Sequence, residues 1–432
     1  MSTFGSGRET NEADVVVVGG GLAGLTAGAV AARAGRRVVV LDAHRVGGRA
    51  VTTEHSGARF NQGAHALYRH GAGWSVLAQL GIVPHGGPPA IDRGSALAGD
   101  VLRPLPITAR QLVTSGLLSP RARVQVGRLM TGLAKLAAHR FADRSGAAWL
   151  DSLGLRDDAR AFVAAMVRLS SYVADHDLIS ADVLIGQLQI SMSGGVCYLD
   201  HGWQQLVDAL TTVIVEHGGQ VIAGRPARSV ARDGHRLVVR GDESEMTAQA
   251  VVLAAGGPRA CADLLADAPP RWRALGSDAT AACLDLASTR PPVPPFVLGI
   301  DRPLYLSNHC PPADLAPDGV SVVSVMQYRS ASAQPDLERD RRELTDLAGR
   351  AGIGPNDIVA SRYLHRMVVV HGLPSPSTGG LAGRPPVAVD DGVFVAGDWV
   401  GPVGWLADGS FASGEAAGHL AAAHAGLHVS ER

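Results

Sequence analysis

Apolar and polar positions near the N-terminus follow one after another in a set order. A β-branched run, Asp14-Val15-Val16-Val17-Val18, leads straight into Gly19-Gly20-Gly21-Leu22-Ala23-Gly24. An Ala- and Leu-rich stretch, 22–34, follows and stops at Gly35, and a second apolar run, 37–41, ends on Asp42. Apolar runs this short, without alternation, predict strands buried on both faces. The stretch between them predicts a helix, with Gly35 as its C-terminal stop. Farther along, apolar residues at three- and four-residue intervals predict helices over 112–118, 121–139 and 159–173. A loop over 194–203 is expected to lead into a helix over 204–217. Strands are expected over 250–257, 320–325 and 392–398, a connector through Pro291 to Pro295, and a closing helix over 411–425. No internal repeat is visible.

The N-terminal unit has the chemistry of a dinucleotide cradle. Gly19 permits a tight turn, Gly21 lets backbone approach a pyrophosphate, and Gly24 lets the helix pack closely on the strand. The helix start, with Leu22 and Ala23, supplies unpaired N–H groups and partial positive charge for phosphate. Asp42 lies 18 residues beyond Gly24, beside Ala43, where a carboxylate can accept from a ribose diol.

Arg45-Val46-Gly47-Gly48-Arg49 follows almost at once, and a nicotinamide dehydrogenase has no need of this second glycine-arginine loop. Here the chain resembles the flavin amine oxidase and phytoene desaturase superfamily, and the resemblance implies FAD. It implies that Gly48 and Arg49 lie along the pyrophosphate and near the flavin, and that Phe60-Asn61-Gln62-Gly63-Ala64-His65 passes the isoalloxazine ring. Backbone at Ala227 would meet the adenine, and Gly256 would close a strand at the cofactor. Gly397 and Asp398 would reach the ribityl chain or pyrophosphate. Gly404-Trp405-Leu406-Ala407-Asp408-Gly409-Ser410 would open a helix whose N-terminus faces the flavin, with Ala407, Gly409 and Ser410 in contact. His65 is the side-chain candidate for catalysis, because a near-neutral imidazole in the flavin-passing loop suits general base work. Trp399 and Trp405 are candidate pocket walls or core. Cys197-Tyr198 is similar to a covalent flavin attachment dipeptide but sits in the wrong segment, so the flavin is expected to be non-covalent.

Two departures bear on the reaction. Lys135 is the sole lysine among 39 basic side chains and falls in the predicted helical region, so the lysine many amine oxidases place at flavin N5 is missing. No paired tyrosine cage is evident either. Both point from an amine oxidase toward a desaturase-like dehydrogenase.

The implied fold class is α/β: a Rossmann-like, glutathione-reductase-like FAD domain with a discontinuous α+β substrate-binding domain. The expected division is a disordered arm over 1–12, the FAD domain over 13–95, 190–262 and 385–432, and the substrate domain over 96–189 and 263–384. A formal charge of -1 argues against a nucleic-acid surface. Arg121, Arg123, Arg128 and Arg140 read as solvated faces rather than a peripheral membrane contact. Cys197, Cys261, Cys283 and Cys310 are too scattered for a metal site or a disulfide framework, which fits buried thiols in the cytoplasm. The apolar stretch 15–32 is broken by four glycines, so neither a signal peptide nor a membrane span is expected.

The expected activity is hydride removal from a small or medium organic substrate, by C–C desaturation or C–N oxidation. Electrons would pass to oxygen, a quinone or another carrier, because no second nucleotide motif for NAD(P)H is present. A redox-neutral FAD-dependent isomerase, a typical amine oxidase and a non-catalytic flavoprotein are the alternatives.

Overall fold

The structure is a computed structural model and describes residues 12–242 and 244–427. Its first sheet has eight strands, beginning with β1 (Glu12–Val18) and β2 (Val38–Leu41). In this sheet Gln220–Ile222, β2, β1 and Glu245–Leu253 lie side by side and parallel. Glu245–Leu253 is long enough to serve two partners. Its first half pairs antiparallel with Arg236–Gly241, while Val251 to Leu253 pair in parallel with Val393–Val395. Side chains of β1 alternate between two cores: Val15 and Val17 pack on one face, Val16 and Val18 on the other. This is the physical reason for the unbroken apolar runs in the sequence.

Helix α1 (Leu22–Arg33) crosses one face of this sheet and packs against the C-terminal helix Ala407–Leu427. The approach is close enough to require glycine. A Cβ added at Gly414 would lie 2.5 Å from the Ala23 carbonyl, and one at Gly418 would lie 2.6 Å from that of Ala27. The closing helix starts at Ala407, four residues ahead of the expected 411.

A second sheet of seven strands is antiparallel except where Phe296–Gly299 meets Ser95–Ala98. Its longest fully buried strand, Ala279–Ser288, lies second from one edge, between Ser321–Arg329 and the edge strand Ile358–Val370. One face is covered by the helices Pro120–Leu133, Gly146–Ser152, Asp157–Ser171 and Ala181–Gly194. Arg121, Arg128 and Arg140 are exposed there, whereas Arg123 folds back to donate to the Leu118 and Val113 carbonyls.

Several expectations need correction. Of the arm 1–12, residues 1–11 lie outside the described residues, and Glu12 opens β1, its carboxylate paired with Arg236. The helices expected over 112–118 and 121–139 stop at Thr114 and Leu133. The segment 194–203 is not all loop: Val196–Leu199 forms a strand that joins Leu67–Tyr68 and Gly86–Gly87 into a third, small sheet. Helix Ala181–Gly194 runs across the boundary expected at 189/190. The segment following 262 also stays with the first sheet, since Trp272 packs edge-on against Trp399 at 5.2 Å. All four cysteines are buried and unpaired. No described helix is long and apolar enough to cross a membrane.

Candidate active site

The glycines of the β1–α1 turn divide into two kinds. An added Cβ at Gly19 would stand 2.2 Å from the Ala254 carbonyl oxygen, and one at Gly24 would stand 1.8 Å from that of Gly19. These two hold backbone against backbone. A Cβ at Gly21 would meet nothing within 4 Å, and the same holds at Gly256, where φ is +89. Gly21 caps α1 with no side chain of its own, so the helix start offers its amides to open space. Gly47 bridges to Gly21 and donates to the Gly20 carbonyl at 2.8 Å, which lays Gly48 beside the turn. The residues that meet here fit a pyrophosphate: open backbone on both flanks, a helix N-terminus, and Arg49 at the end of the strip.

Asp42 stands at one end of that strip. Its oxygens accept from the Gly20 and His44 amides, each at 2.8 Å, and each oxygen keeps lone-pair capacity for a ribose hydroxyl. Ala43 beside it is exposed. Arg225 donates its amide to the Asp42 carbonyl, and Gly224 does so to that of His44, which brings Ala227 to this same end.

At the other end Asp398 is enclosed by chain. Arg49 pairs with it at 2.9 Å, and His371 donates from Nδ1 and from its amide, both at 3.1 Å. Burial alone would raise this carboxyl. The Arg49 charge and the His371 hydrogen bond outweigh that and hold it far below the usual carboxylate range. Arg384 spends its guanidinium on the carbonyls of Asp398, Gly401, Val403 and Gly404, and so fixes the turn that carries Gly397. Burial pulls the pKa of Arg384 down to about 10. Ser413 links the Gly397 amide to the closing helix. Sequence reasoning missed His371, Arg384 and Ser413, each of which acts through contacts at least 14 residues distant. The one signal was an arginine set between Gly383 and two prolines just ahead of a strand.

The closing helix places Ala407, Gly409 and Ser410 in its first turn, with the positive end of its dipole beside the Gly397 turn. Asp408 lies among them but points elsewhere. It accepts from the Gly73 amide at 2.7 Å and thereby caps helix α2 (Ala72–Gln79), whose own cap, Gly71, has no side chain. Its second oxygen is buried without a partner among the described residues, and burial raises its pKa to about 6. A raised folded pKa means that the native state holds a proton the unfolded chain has released. Stability from this group is therefore complete below about pH 4 and declines as pH rises through 6, by about 3 kcal/mol. Asp408→Asn is expected to remove that decline. Urea melts from pH 4 to pH 7.5 should show variant minus wild type rising by about that amount. A constant difference would contradict it.

Gly63 and Ala64 press on the second sheet: an added Cβ at Gly63 would sit 2.6 Å from the Met367 sulfur and 3.5 Å from the Cys283 Cβ. His65 follows, edge-on to Trp203 at 4.9 Å. Its Nδ1 lies 3.0 Å from the Gly63 carbonyl, which can only accept, so Nδ1 carries the proton and Nε2 is left with a lone pair. Burial lowers the pKa of His65, against the pull of that carbonyl, and keeps the ring neutral. Trp405 is buried in the core against the second sheet, its indole donating to the Ser171 carbonyl at 2.9 Å. Trp399 packs into the core of the first sheet. Tyr68, Tyr172, Tyr198, Tyr305 and Tyr328 also gather here from five distant segments, an aromatic cluster that spacing along the chain could not reveal.

Comparison with known proteins shows the family and the fold. A family described as flavin containing amine oxidoreductase matches residues 22–418. One of the subunits of limonene dehydrogenase from Castellaniella defragrans is 52% identical over 61 residues, 14% of this chain. All-trans-retinol 13,14-reductase from Macaca fascicularis is 42% identical over 67 residues, 15% of this chain. The chain matches about a tenth of the length of these curated relatives, 11% in each case. Among solved structures, cyclohexylamine oxidase from Brevibacterium oxydans superposes with a TM-score of 0.71 at 16% identity, over 97% of this chain and all of that one. An oxidoreductase from Methanosarcina mazei gives 0.71 at 18% identity, over 93% of this chain and 99% of that one. With the family matched from the start of α1 to the middle of the closing helix, this chain belongs to the flavin-containing amine oxidoreductases.

Proposed function

We propose that the chain binds one FAD non-covalently along the strip from Asp42 to the closing helix and takes a hydride from a neutral C–H bond of a small or medium organic molecule. The observation that carries this reading is the open backbone at Gly21 and Gly256, taken together with the Arg49–Asp398 pair. Gly19, Gly24, Leu22 and Ala23 shape the turn; Gly48 and Arg49 flank the diphosphate; Asp42, Ala43 and Ala227 hold the adenosine end; Gly397, Asp398, Ala407, Gly409 and Ser410 hold the flavin end.

When bound, FAD accepts the hydride and later passes two electrons to oxygen, a quinone or another carrier. The protein's share is positional. Gly63 and Ala64 keep the ring close to an apolar sheet face, His65 holds a free Nε2 as proton acceptor, and the dipole of the closing helix favours negative charge at the flavin edge. Lys135, the sole lysine, is exposed on the turn after Pro120–Leu133, far in sequence from every one of these groups. This favours dehydrogenation or desaturation over the amine chemistry that relies on a lysine. The division into two domains belongs to the same proposal: the first sheet with its helices takes FAD, and the second sheet with its four covering helices takes substrate.

The test is the visible spectrum of purified protein, repeated on the supernatant after acid precipitation. Flavin absorption that moves entirely into the supernatant is expected. Flavin left in the pellet would overturn non-covalent binding, and a protein that cannot be reconstituted with FAD would overturn the whole proposal.

A further inference from the structure

The exposed face of helix Pro120–Leu133 is a row of cations that the protein leaves without partners. Ala122, Val126 and Leu133 are buried beneath the helix, whereas Arg121, Val124, Arg128 and Thr131 are exposed, and Lys135 is exposed on the following turn. Spacings of three and four residues set these on one stripe. Helix Ala109–Thr114 lies alongside and adds exposed Arg110 and Val113. Arg123 ties this helix to the longer one by donating to the Val113 and Leu118 carbonyls, at 2.7 and 3.0 Å. Arg103 donates to the Gly116 carbonyl at 2.6 Å, so the turn between the two helices is held as well.

Charge is unevenly spread around this face. Residues 101–150 hold eight Lys and Arg against one acid, Asp143, in a chain whose formal net charge is -1. None of the eight forms an ion pair among the described residues, whereas Arg160, Arg228 and Arg350 pair with Asp151, Asp242 and Asp100 at 2.6, 2.7 and 2.8 Å. An array of this kind raises the local concentration of anions around it. Apolar side chains stand among the cations: Val113 is 70% exposed and Val124 52%, and Leu112, Leu117, Leu129 and Met130 are only partly buried.

We propose that this face docks on an anionic lipid surface, with its cations at the headgroups and its valines in the interface, in place of the solvated face expected from the sequence. Each cation held near such a surface strengthens binding about fivefold, and exposed aliphatic side chains add apolar burial. A nucleic acid asks for planar side chains to stack and free amides to read bases. Here Gln111 and Gln125 are tied to the Asp92 and Gly154 carbonyls, at 2.8 and 3.1 Å, and no aromatic side chain of 101–150 is exposed. A specific protein interface centres on aromatic anchors, which this stripe lacks. The same helix covers the second sheet, the half proposed to take substrate. Docking would set that half against the phase in which a neutral organic molecule concentrates.

The experiment is co-sedimentation of the purified full chain with vesicles of phosphatidylcholine alone or with about a third phosphatidylserine. Wild type is expected to sediment with the anionic vesicles only, and to be released at about 0.5 M salt, where charges are screened within a few ångströms. The triple variant Arg121→Gln, Arg128→Gln, Lys135→Gln is expected to lose about a hundredfold in affinity at an unchanged melting temperature. Arg271→Gln, Arg290→Gln, Arg366→Gln makes the same change of net charge at exposed positions elsewhere and is expected to bind like wild type. The pair Val113→Ser, Val124→Ser is expected to lose about tenfold, since two half-exposed valines would leave the interface. Equal binding to neutral vesicles, or no binding to anionic ones, overturns the proposal. So does a triple variant that binds like wild type, or a control triple that loses as much. A valine pair that binds unchanged, or DNA that binds tighter than the vesicles at the same salt, replaces lipid with a general polyanion and overturns it too. Should a variant fail to fold, the dependence of wild type on lipid charge and salt still decides.

Discussion

Gly21→Val is expected to fold like the wild type and to lose FAD, whereas Gly24→Ala is expected to lose fold stability. Both positions belong to one glycine motif, so a purely structural motif would make them behave alike. The space around them differs. Gly21 has φ -75 and ψ 179, an extended backbone open to any residue, and an added Cβ meets no atom within 4 Å. Valine there costs the apoprotein little but occupies the ground in front of the α1 amides. FAD affinity is expected to fall about a hundredfold or more, the scale of a lost charge-assisted phosphate contact. At Gly24 even one methyl is driven to 1.8 Å from the Gly19 carbonyl oxygen, and neither backbone can yield without moving α1 off the sheet. Overpacking against backbone costs roughly 1–3 kcal/mol, and this contact belongs at the upper end. Thermal melts of the apoproteins and FAD titrations separate the two effects. Unchanged FAD affinity in Gly21→Val would remove the glycine turn from the cofactor site.

How much of this was legible in the sequence follows from how local each signal is. The strand, turn, helix, strand and acid of residues 12–42 are specified by neighbours: buried valines on both faces, glycines where backbone is crowded, a carboxylate at the end of β2. Asp398 was legible for a similar reason, as it sits in the glycine turn just after a short buried strand. Its partners were not. His371 and Arg49 reach it from opposite ends of the chain, and Arg384 acts on it through carbonyls, which carry no side-chain signature. The tyrosine cluster is the extreme case. Tyr68, Tyr172, Tyr198, Tyr305 and Tyr328 come from separate strands and a helix end, and each alone looks like ordinary core. The short strand Val196–Leu199 hid inside a glycine-rich segment because it is stabilised by pairing with two-residue strands, not by a pattern of its own. Trp399 misled for the opposite reason: it is adjacent in sequence to Asp398, yet its side chain turns to the far face of the sheet, against Trp272.

Asp398→Asn is expected to weaken both the fold and FAD binding, with a pH signature that separates charge from shape. The side chain of Asp398 is 2% exposed and accepts from Arg49 and His371, so the carboxylate joins the glycine-arginine loop, the end of the Ile358–Val370 strand and the Gly397 turn. Its folded pKa is depressed, despite burial, by the Arg49 charge and the His371 hydrogen bond. A depressed carboxyl adds stability that is complete above its unfolded pKa, about 4, and is lost as pH falls through the folded value. Asparagine keeps the size but cannot neutralise Arg49, and its amide would face the donors that now converge on the carboxylate. Arg49 is 41% exposed, so solvent screens part of its share, and the expected loss at pH 7 is about 2 kcal/mol rather than the full value of a buried pair. Below pH 4 the difference should narrow, because this carboxyl takes up a proton in the unfolded chain and draws wild type towards unfolding while the folded carboxylate stays charged. Freed of its partner, Arg49 would also leave the pyrophosphate strip, so FAD affinity should fall at pH 7 by about tenfold. Denaturant melts across pH 3 to 8 read the first effect and flavin titration the second. A stability difference that does not narrow in acid would mean that Asp398 acts through its shape and not through its charge.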